Sequence, residues 1–368
     1  MVIILWQGII SIHQKSFLEA LSRLHEVDKV MLVVENDITP YRKNMGWSVP
    51  EIIGVELVLA PSHEKIKKIF EENIDATHVF GGIKVGKILS VAFQEAIIHK
   101  ARIGILSEPF NKSGIKGYFR KMKYMFQKIQ YARHIDFFLA VGKAGVATFR
   151  DLGYSPSKIF PWAYFVSIKI PEVQKQLLNS ATKIVYAGRI ENAKGILGFV
   201  KELAAFKDEN FRLDVYGNGS EEAALKDFVK DKGLSDKICV YPFLKYDELL
   251  EKYAFYDWVV LPSSQKDGWG VIVSEGLLNG LKAICSNICG VSWVIKDNFN
   301  GVVFDWAEKE SCSHAIRKMI NGKGFADRNT IKSWAEQMVS ADAGARYFID
   351  IVNCVYHNNK RPVQPWGD

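Results

Sequence analysis

Short apolar runs alternate with stretches of helical spacing from one end of this chain to the other, and halfway along the alternation starts again. Val2–Trp6 reads as a buried strand, and the Phe17, Leu18, Leu21, Leu24 spacing after it fits a helix facing a core. Lys29–Val34, Val55–Ala60, Thr77–Gly82, Arg102–Ser107 and Phe137–Val141 follow as further strands, with helical stretches such as Glu64–Glu72 and Gly86–His99 between them. This is the pattern of a parallel sheet with helices on both faces. A polar bridge, Pro171–Thr182, precedes a new first strand at Lys183–Ala187. Phe211–Tyr216, Lys237–Val240, Trp258–Leu261, Ala283–Ser286 and Gly301–Phe304 then repeat the arrangement. The expected fold is α/β, with two Rossmann-like doubly wound domains. A length of 368 residues suits two domains at ~150 residues each. Ligands of open α/β sheets sit beyond the carboxyl ends of the strands, so two such domains facing a central cleft would place a substrate between them.

Composition narrows the class. No apolar run reaches the ~18 residues of a membrane span. The N-terminal MVIILWQGII lacks a basic n-region and a small-residue cleavage site, and reads as a core strand. Five cysteines, an odd number confined to the second half, argue for a reducing cytoplasm over a disulfide framework. Residues 1–165 hold 22 Lys/Arg against 15 Asp/Glu, and the remainder holds 26 against 26, so the whole net charge of +7 belongs to the first half. One-sided basicity suggests an anionic partner such as a membrane surface or a phosphate-bearing substrate. Zinc-finger spacing, an RNA-recognition signature and a long basic arm are all missing, so no nucleic-acid partner is expected.

Three motifs carry chemistry. In Val185-Tyr-Ala-Gly188-Arg189-Ile-Glu-Asn-Ala-Lys194-Gly195 a strand gives way to a helix. Arg189 can make a bidentate contact to phosphate, Lys194 adds a point charge, and the helix start favours anions; a plain turn with two solvated cations is the alternative. Tyr216-Gly217-Asn-Gly219 opens like a dinucleotide fingerprint, but position 222 is Glu222 and the third glycine is missing, which weighs against an NAD enzyme. The third runs Leu261-Pro262-Ser263-Ser264-Gln-Lys-Asp267-Gly268-Trp269-Gly270-Val271 and continues to Glu275 and Gly280. Its glycines leave backbone amides open to a diphosphate, and Glu275, about one turn into a helix, can accept hydrogen bonds from ribose hydroxyls. A solvated Asp and a helix-face Glu are the plainer alternative.

In that order the three motifs, with the trailing Gly290 and Asn300-Gly301-Val302-Val303-Phe304, resemble glycosyltransferase family 4, whose members are retaining enzymes of the GT-B fold using nucleotide-sugar donors. The specific match covers roughly residues 183–305. The family's first signature glutamate is the shorter Asp267 here. The resemblance implies that Arg189 and Lys194 grip the donor pyrophosphate and Glu275 binds the ribose. Asp267, Gly268, Trp269 and Gly270 would line the donor-sugar pocket, and Val271 would offer its amide to a phosphate. Gly188, Gly217 and Gly219 would complete the nucleotide site, with the backbone of Tyr241, Phe243 and Leu244 at the base. It further implies an acceptor-binding domain over 1–165, a donor-binding domain over 166–345, and a helix or tail over 346–368 returning to the first domain. Acceptor candidates are Gln7, Gly8 and His13, in an expected cleft loop after the first strand, the alternative placement for His13 being an N-terminal helix-cap region. Glu108 stands where many members carry a histidine and is a candidate to orient or deprotonate the acceptor hydroxyl. No cofactor and no metal are expected: the chain lacks Asp-x-Asp, and Cys285-Ser-Asn-Ile-Cys289 reads as buried thiols.

The stretch Asn111–His134 holds Lys112, Lys116, Arg120, Lys121, Lys123, Lys128 and Arg133 without an acid, interleaved with Tyr118, Phe119, Tyr124, Met125 and Phe126. It reads as a membrane-surface helix, the alternative being a solvated helix that packs its apolar stripe on the sheet. The expected protein is therefore cytoplasmic and peripheral at the inner membrane face. It would transfer a sugar from a nucleotide-diphosphate donor, a UDP-sugar by expectation, to a glycan or polyprenyl-diphosphate-linked acceptor in surface-polysaccharide assembly. A Rossmann-type epimerase or oxidoreductase and a non-enzymatic sugar-binding protein are the rivals.

Overall fold

The computed structural model describes residues 1–37, 49–110, 114–167, 181–265 and 267–367. The bridge Pro171–Thr182, up to residue 180, and Asn111 and Lys112 of the basic stretch lie outside the described residues. The chain forms two compact units, Met1–Val166 with Val339–Asp368, and Ser167–Met338.

The first unit begins with β1 (Val2–Ile9), α1 (Ile12–Ser22), β2 (Lys29–Asn36) and β3 (Val55–Leu59). It continues through α2 (His63–Glu72), β4 (Thr77–Phe80), α3 (Lys87–Ile98), β5 (Arg102–Ser107) and α4 (Gly114–Tyr131), and then β6 (Phe137–Val141), α5 (Gly142–Asp151) and β7 (Ile159–Trp162). Its seven strands lie in the order β3-β2-β1-β4-β5-β6-β7 and pair in parallel, with Ile3 opposite both Val30 and Thr77. Strands covered on both faces become continuous apolar runs, and β4 and β6 are buried at every position. The strand β7 is absent from the sequence reading. Its Pro161 lacks an amide donor, and a sheet tolerates that at an edge, which is where β7 sits.

The second unit runs β8 (Thr182–Ala187), α6 (Ile196–Leu203), β9 (Phe211–Tyr216), α7 (Glu222–Asp231), β10 (Ile238–Tyr241) and α8 (Tyr246–Lys252), then β11 (Trp258–Leu261), α9 (Val271–Leu278), β12 (Lys282–Ser286), β13 (Gly301–Phe304), α10 (Ser311–Asn321) and α11 (Arg328–Met338). The strand order β10-β9-β8-β11-β12-β13 is again all parallel. One face of this sheet is filled by Ile184, Leu213, Val215, Trp258, Ile284 and Phe304 against α6, α7 and α10. Both sheets reverse direction once, between β1 and β4 and between β8 and β11. Such a switch point leaves a crevice at the carboxyl ends of its two central strands. In the second unit those ends carry the Gly188–Gly195 and Pro262–Gly270 loops.

The last helix, α12 (Ala341–Tyr356), belongs entirely to the first unit. The expected boundary at 345/346 falls inside it and moves to 338/339. The physical reason is packing. Phe348 meets Phe17 and Phe137 edge-on at 6.1 and 6.4 Å. Tyr347 stacks on Trp162 at 5.9 Å, and Tyr356 donates to Asp136 at 2.8 Å.

Candidate active site

The loop after β8 is tied to the loop after β11. A 3-10 turn, Asn192–Lys194, leads to Gly195, which takes a left-handed conformation (φ 68°) and caps α6. A Cβ at Gly195 would lie 2.0 Å from the Pro262 carbonyl oxygen, so only glycine allows this approach. The Ser264 amide donates to the Ala193 carbonyl at 3.0 Å, and the Ser264 hydroxyl to the Asn192 carbonyl at 2.5 Å. This stitching brings Lys194 Nζ to 2.5 Å from Asp267 Oδ2. Asp267 also accepts from Ser263 Oγ at 3.0 Å. Both charged side chains are largely shielded, at 24% and 16% exposure. Asp267 therefore positions the lysine, a role the sequence did not suggest. Arg189 is more open and pairs with Glu191 at 2.7 Å.

The Asp267–Gly270 loop is held by a second backbone contact: Gly290 donates to the Asp267 carbonyl and Val291 to that of Trp269, at 3.2 and 2.8 Å. Trp269, expected to line a sugar pocket, instead has its ring buried, and its indole donates to Ser274 Oγ at 3.0 Å. What this residue can offer a pocket is backbone. Gly270 caps α9, and a Cβ there would meet Leu261 at 2.3 Å. Val271 opens the helix, so its amide is among the first-turn donors that α9 cannot satisfy itself.

Glu275 follows on α9 and is 2% exposed. Tyr253 donates to its Oε2 at 3.3 Å, and Tyr246 hydrogen bonds to it as well. Burial pushes the carboxyl up to about 7, against the opposing effect of the two tyrosine hydroxyls. The tyrosine pair was not singled out in the sequence; its only trace is the spacing Tyr246…Tyr253 around α8.

Gly217 and Gly219 serve the packing of one loop on another. Added Cβ atoms would meet the Gly188 carbonyl at 1.9 Å and the Ile190 carbonyl at 2.3 Å. The Gly188 amide donates to the Tyr216 carbonyl, and that of Ile190 to Asn218. Tyr241, Phe243 and Leu244 line a cavity of about 620 Å³ with Arg212, Asp214 and Lys252. The Tyr216 and Tyr241 rings stack there at 5.1 Å, and Arg212 bridges Asp214 and the Tyr241 hydroxyl. Arg212, Asp214 and Tyr216 alternate with the core residues Phe211, Leu213 and Val215 along β9, which is the signal that could have found them.

In the first unit, β1 extends to Ile9, so Gln7 and Gly8 are strand residues and not the expected loop. Gln7 is buried. His13 falls in the first turn of α1, the second of the two placements open to it. It lines a small cavity with Gln14, Trp162 and Tyr164. Tyr164 donates to Glu108 Oε1 at 2.6 Å, which links Glu108 to the neighbourhood of His13 through a residue the sequence reading missed.

Residues 170–338 match the family model described as glycosyl transferases group 1. A D-inositol 3-phosphate glycosyltransferase of Paenarthrobacter aurescens is 29% identical over 144 residues, 38% of this chain and 35% of that protein. The chain thus spans about a third of the length of the first curated relatives it matches. An uncharacterized 41.2 kDa protein in the cps region of Klebsiella pneumoniae is 21% identical over 282 residues, 74% of each chain. Among solved structures, Anabaena Alr3699/HepE in complex with UDP and glucose superposes with a TM-score of 0.69 at 12% identity, covering 96% of this chain and 100% of that one. The fold is GT-B, two Rossmann-like α/β domains.

Proposed function

We propose that this chain, whose second unit carries the glycosyl transferases group 1 match, is a retaining family 4 glycosyltransferase using a nucleotide-sugar donor, UDP-sugar first among them. The observation that carries the reading is the shielded Lys194–Asp267 pair, fixed by the Gly195 crossing between the β8 and β11 loops. Breaking the bond from a sugar to a nucleoside diphosphate builds negative charge on the leaving phosphate. An ammonium held in place, an open guanidinium at Arg189 and first-turn amides at Val271 are donors suited to that charge. Asp267 orients Lys194 before the donor arrives, and the diphosphate then competes for the ammonium. Glu275 accepts the ribose hydroxyls, and the Tyr241–Leu244 segment meets the base.

The acceptor is a glycan or polyprenyl-diphosphate-linked sugar in surface-polysaccharide assembly, a reading supported by the cps-region relative. Glu108, held by Tyr164, and His13 are the acceptor-side groups. The protein works in the cytoplasm at the inner membrane face; among the described residues no helix is long and apolar enough to cross a membrane.

The experiment is a thermal-shift series with nucleoside diphosphates. UDP at about a hundredfold over its Kd adds about 2.7 kcal/mol to stability, which is a shift of several degrees for a unit of this size. Lys194→Met is expected to abolish most of that shift. A wild-type melting temperature unmoved by every nucleoside diphosphate at millimolar concentration overturns the assignment. Because cations and amides are offered to the diphosphate, transfer is also expected to persist in EDTA; loss on chelation with rescue by Mn²⁺ counts against this arrangement.

A further inference from the structure

Helix α4 is mounted with its apolar side outward. At ~100° per residue, Met125, Tyr118, Ile129, Met122, Ile115, Phe126 and Phe119 fall within one arc of about 120°. Every one of them is exposed, from 45% at Met125 to 82% at Ile129. The side that packs on the unit is the more polar one. Gly117, Gln127 and Tyr131 are its buried residues. Gln127 donates to the Ile83 carbonyl at 3.1 Å, Tyr131 meets Phe93 edge-on at 5.4 Å, and Tyr124 stacks on Phe110 at 4.5 Å. The reading in which an apolar stripe packs on the sheet is therefore overturned. Cations border the arc on both sides, Lys116 and Lys123 along one edge and Lys121 and Lys128 along the other, and α4 contains no acid.

Seven large apolar side chains on one exposed helix face are far outside the scatter of single surface hydrophobics on a soluble protein. We infer that α4 lies in the plane of an anionic lipid bilayer, with the Ile115–Phe126–Ile129 arc among the acyl chains and the flanking lysines at the headgroups. Charge complementarity selects this occupant. A protein groove would need acids on both rims to match the two rows of lysine, whereas an anionic headgroup plane supplies them on every side. Side chains such as lysine reach up to the headgroups while their stems stay on the apolar surface. The inference is independent of the donor chemistry of the second unit. It locates the bilayer contact on one helix face of the first unit.

The test is co-sedimentation of the full chain with vesicles of phosphatidylglycerol and phosphatidylcholine in equal parts, against phosphatidylcholine alone. Wild type is expected to bind the mixed vesicles at low salt and on the order of a hundredfold more weakly to the neutral ones. Lys116→Gln, Lys121→Gln and Lys123→Gln together should remove that preference. Phe119→Ser with Phe126→Ser should weaken binding to either vesicle by at least about tenfold. The melting temperature of both variants should be unchanged, because all five side chains are exposed. Wild type remaining in the supernatant overturns the inference, as does vesicle binding indifferent to the phenylalanine pair. A concentration-dependent dimer that the phenylalanine variant dissolves, without vesicle binding, overturns it in favour of a second copy on this face.

Discussion

Glu275→Gln is expected to stabilise the ligand-free protein at pH 8 and, in the same tube, to weaken nucleotide binding. The carboxyl is held at about 7 in the fold against an ordinary 4.5. A raised carboxyl makes the folded state hold its proton longer than the unfolded chain does. The resulting penalty is absent below the unfolded value, grows as pH rises through the interval between 4.5 and 7, and is complete above it. That displacement corresponds to about 3 kcal/mol. Glutamine presents a carbonyl to the Tyr246 and Tyr253 hydroxyls at every pH and carries no charge to bury. The variant should lose the downward slope in stability between about pH 5 and pH 7.5 and melt several degrees higher at pH 8. Nucleotide recognition moves the other way. A carboxylate accepting from ribose hydroxyls is a charge-assisted contact, and its replacement by an amide should lower kcat/KM by well over tenfold at pH 8. At pH 6 wild type is itself largely protonated, so the gap should narrow. Calorimetric melting across pH, with turnover at the two ends, checks both halves. Equal melting and equal turnover at pH 8 would make Glu275 a passive buried side chain.

Gly195→Ala should cost more stability than any surface substitution and should silence the response to nucleotide. Two penalties combine there. A left-handed backbone with a Cβ costs roughly 1–2 kcal/mol. The Cβ also arrives 2.0 Å from the Pro262 carbonyl oxygen, a backbone atom that cannot rotate away. The β8 and β11 loops must then part, taking Lys194 from Asp267. A total loss of about 3–5 kcal/mol is expected, in the range of severe single substitutions. Gly233→Ala is the control. Gly233 has nearly the same φ, 66°, with nothing within 4 Å of the added carbon, so it should lose only the backbone part. Denaturant melts of the two variants separate strain from collision. Similar losses in both would mean the loop crossing yields easily and does not fix the lysine.

Where the sequence was informative, the periodicity of parallel strands carried it. Runs such as Phe137–Val141 and Trp258–Leu261 coincide with observed strands that are buried at every position, because burial on both faces leaves no polar alternation to blur their ends. Phe211–Tyr216 coincides too, although Arg212 and Asp214 alternate with its core residues. A strand interrupted by proline, β7, was invisible for the converse reason. The loops of the candidate site were legible through their glycines, which mark close backbone approaches. The partners that give the site its electrostatics were not: the Lys194–Asp267 pair spans 73 positions, and Tyr246 and Tyr253 reach Glu275 from another helix. The orientation of α4 was equally hidden. Its apolar arc can be drawn from the sequence, but which arc faces the protein depends on Gln127, Tyr124 and Tyr131 finding partners elsewhere in the unit.

The placement of α12 has a consequence for the order in which the two units mature. Residues 339–367 supply Tyr347, Phe348 and Tyr356 to the first unit's core, and Arg361 donates to the Ser157 and Ile159 carbonyls at that unit's β7 edge. On the ribosome these residues emerge after all of Ser167–Met338. The second unit has its complete sequence before Phe17, Phe137 and Trp162 have their ring partners on α12. Completion of the N-terminal core therefore waits on residues made after the whole of the second unit, a departure from the N-to-C order in which domains along a chain ordinarily fold.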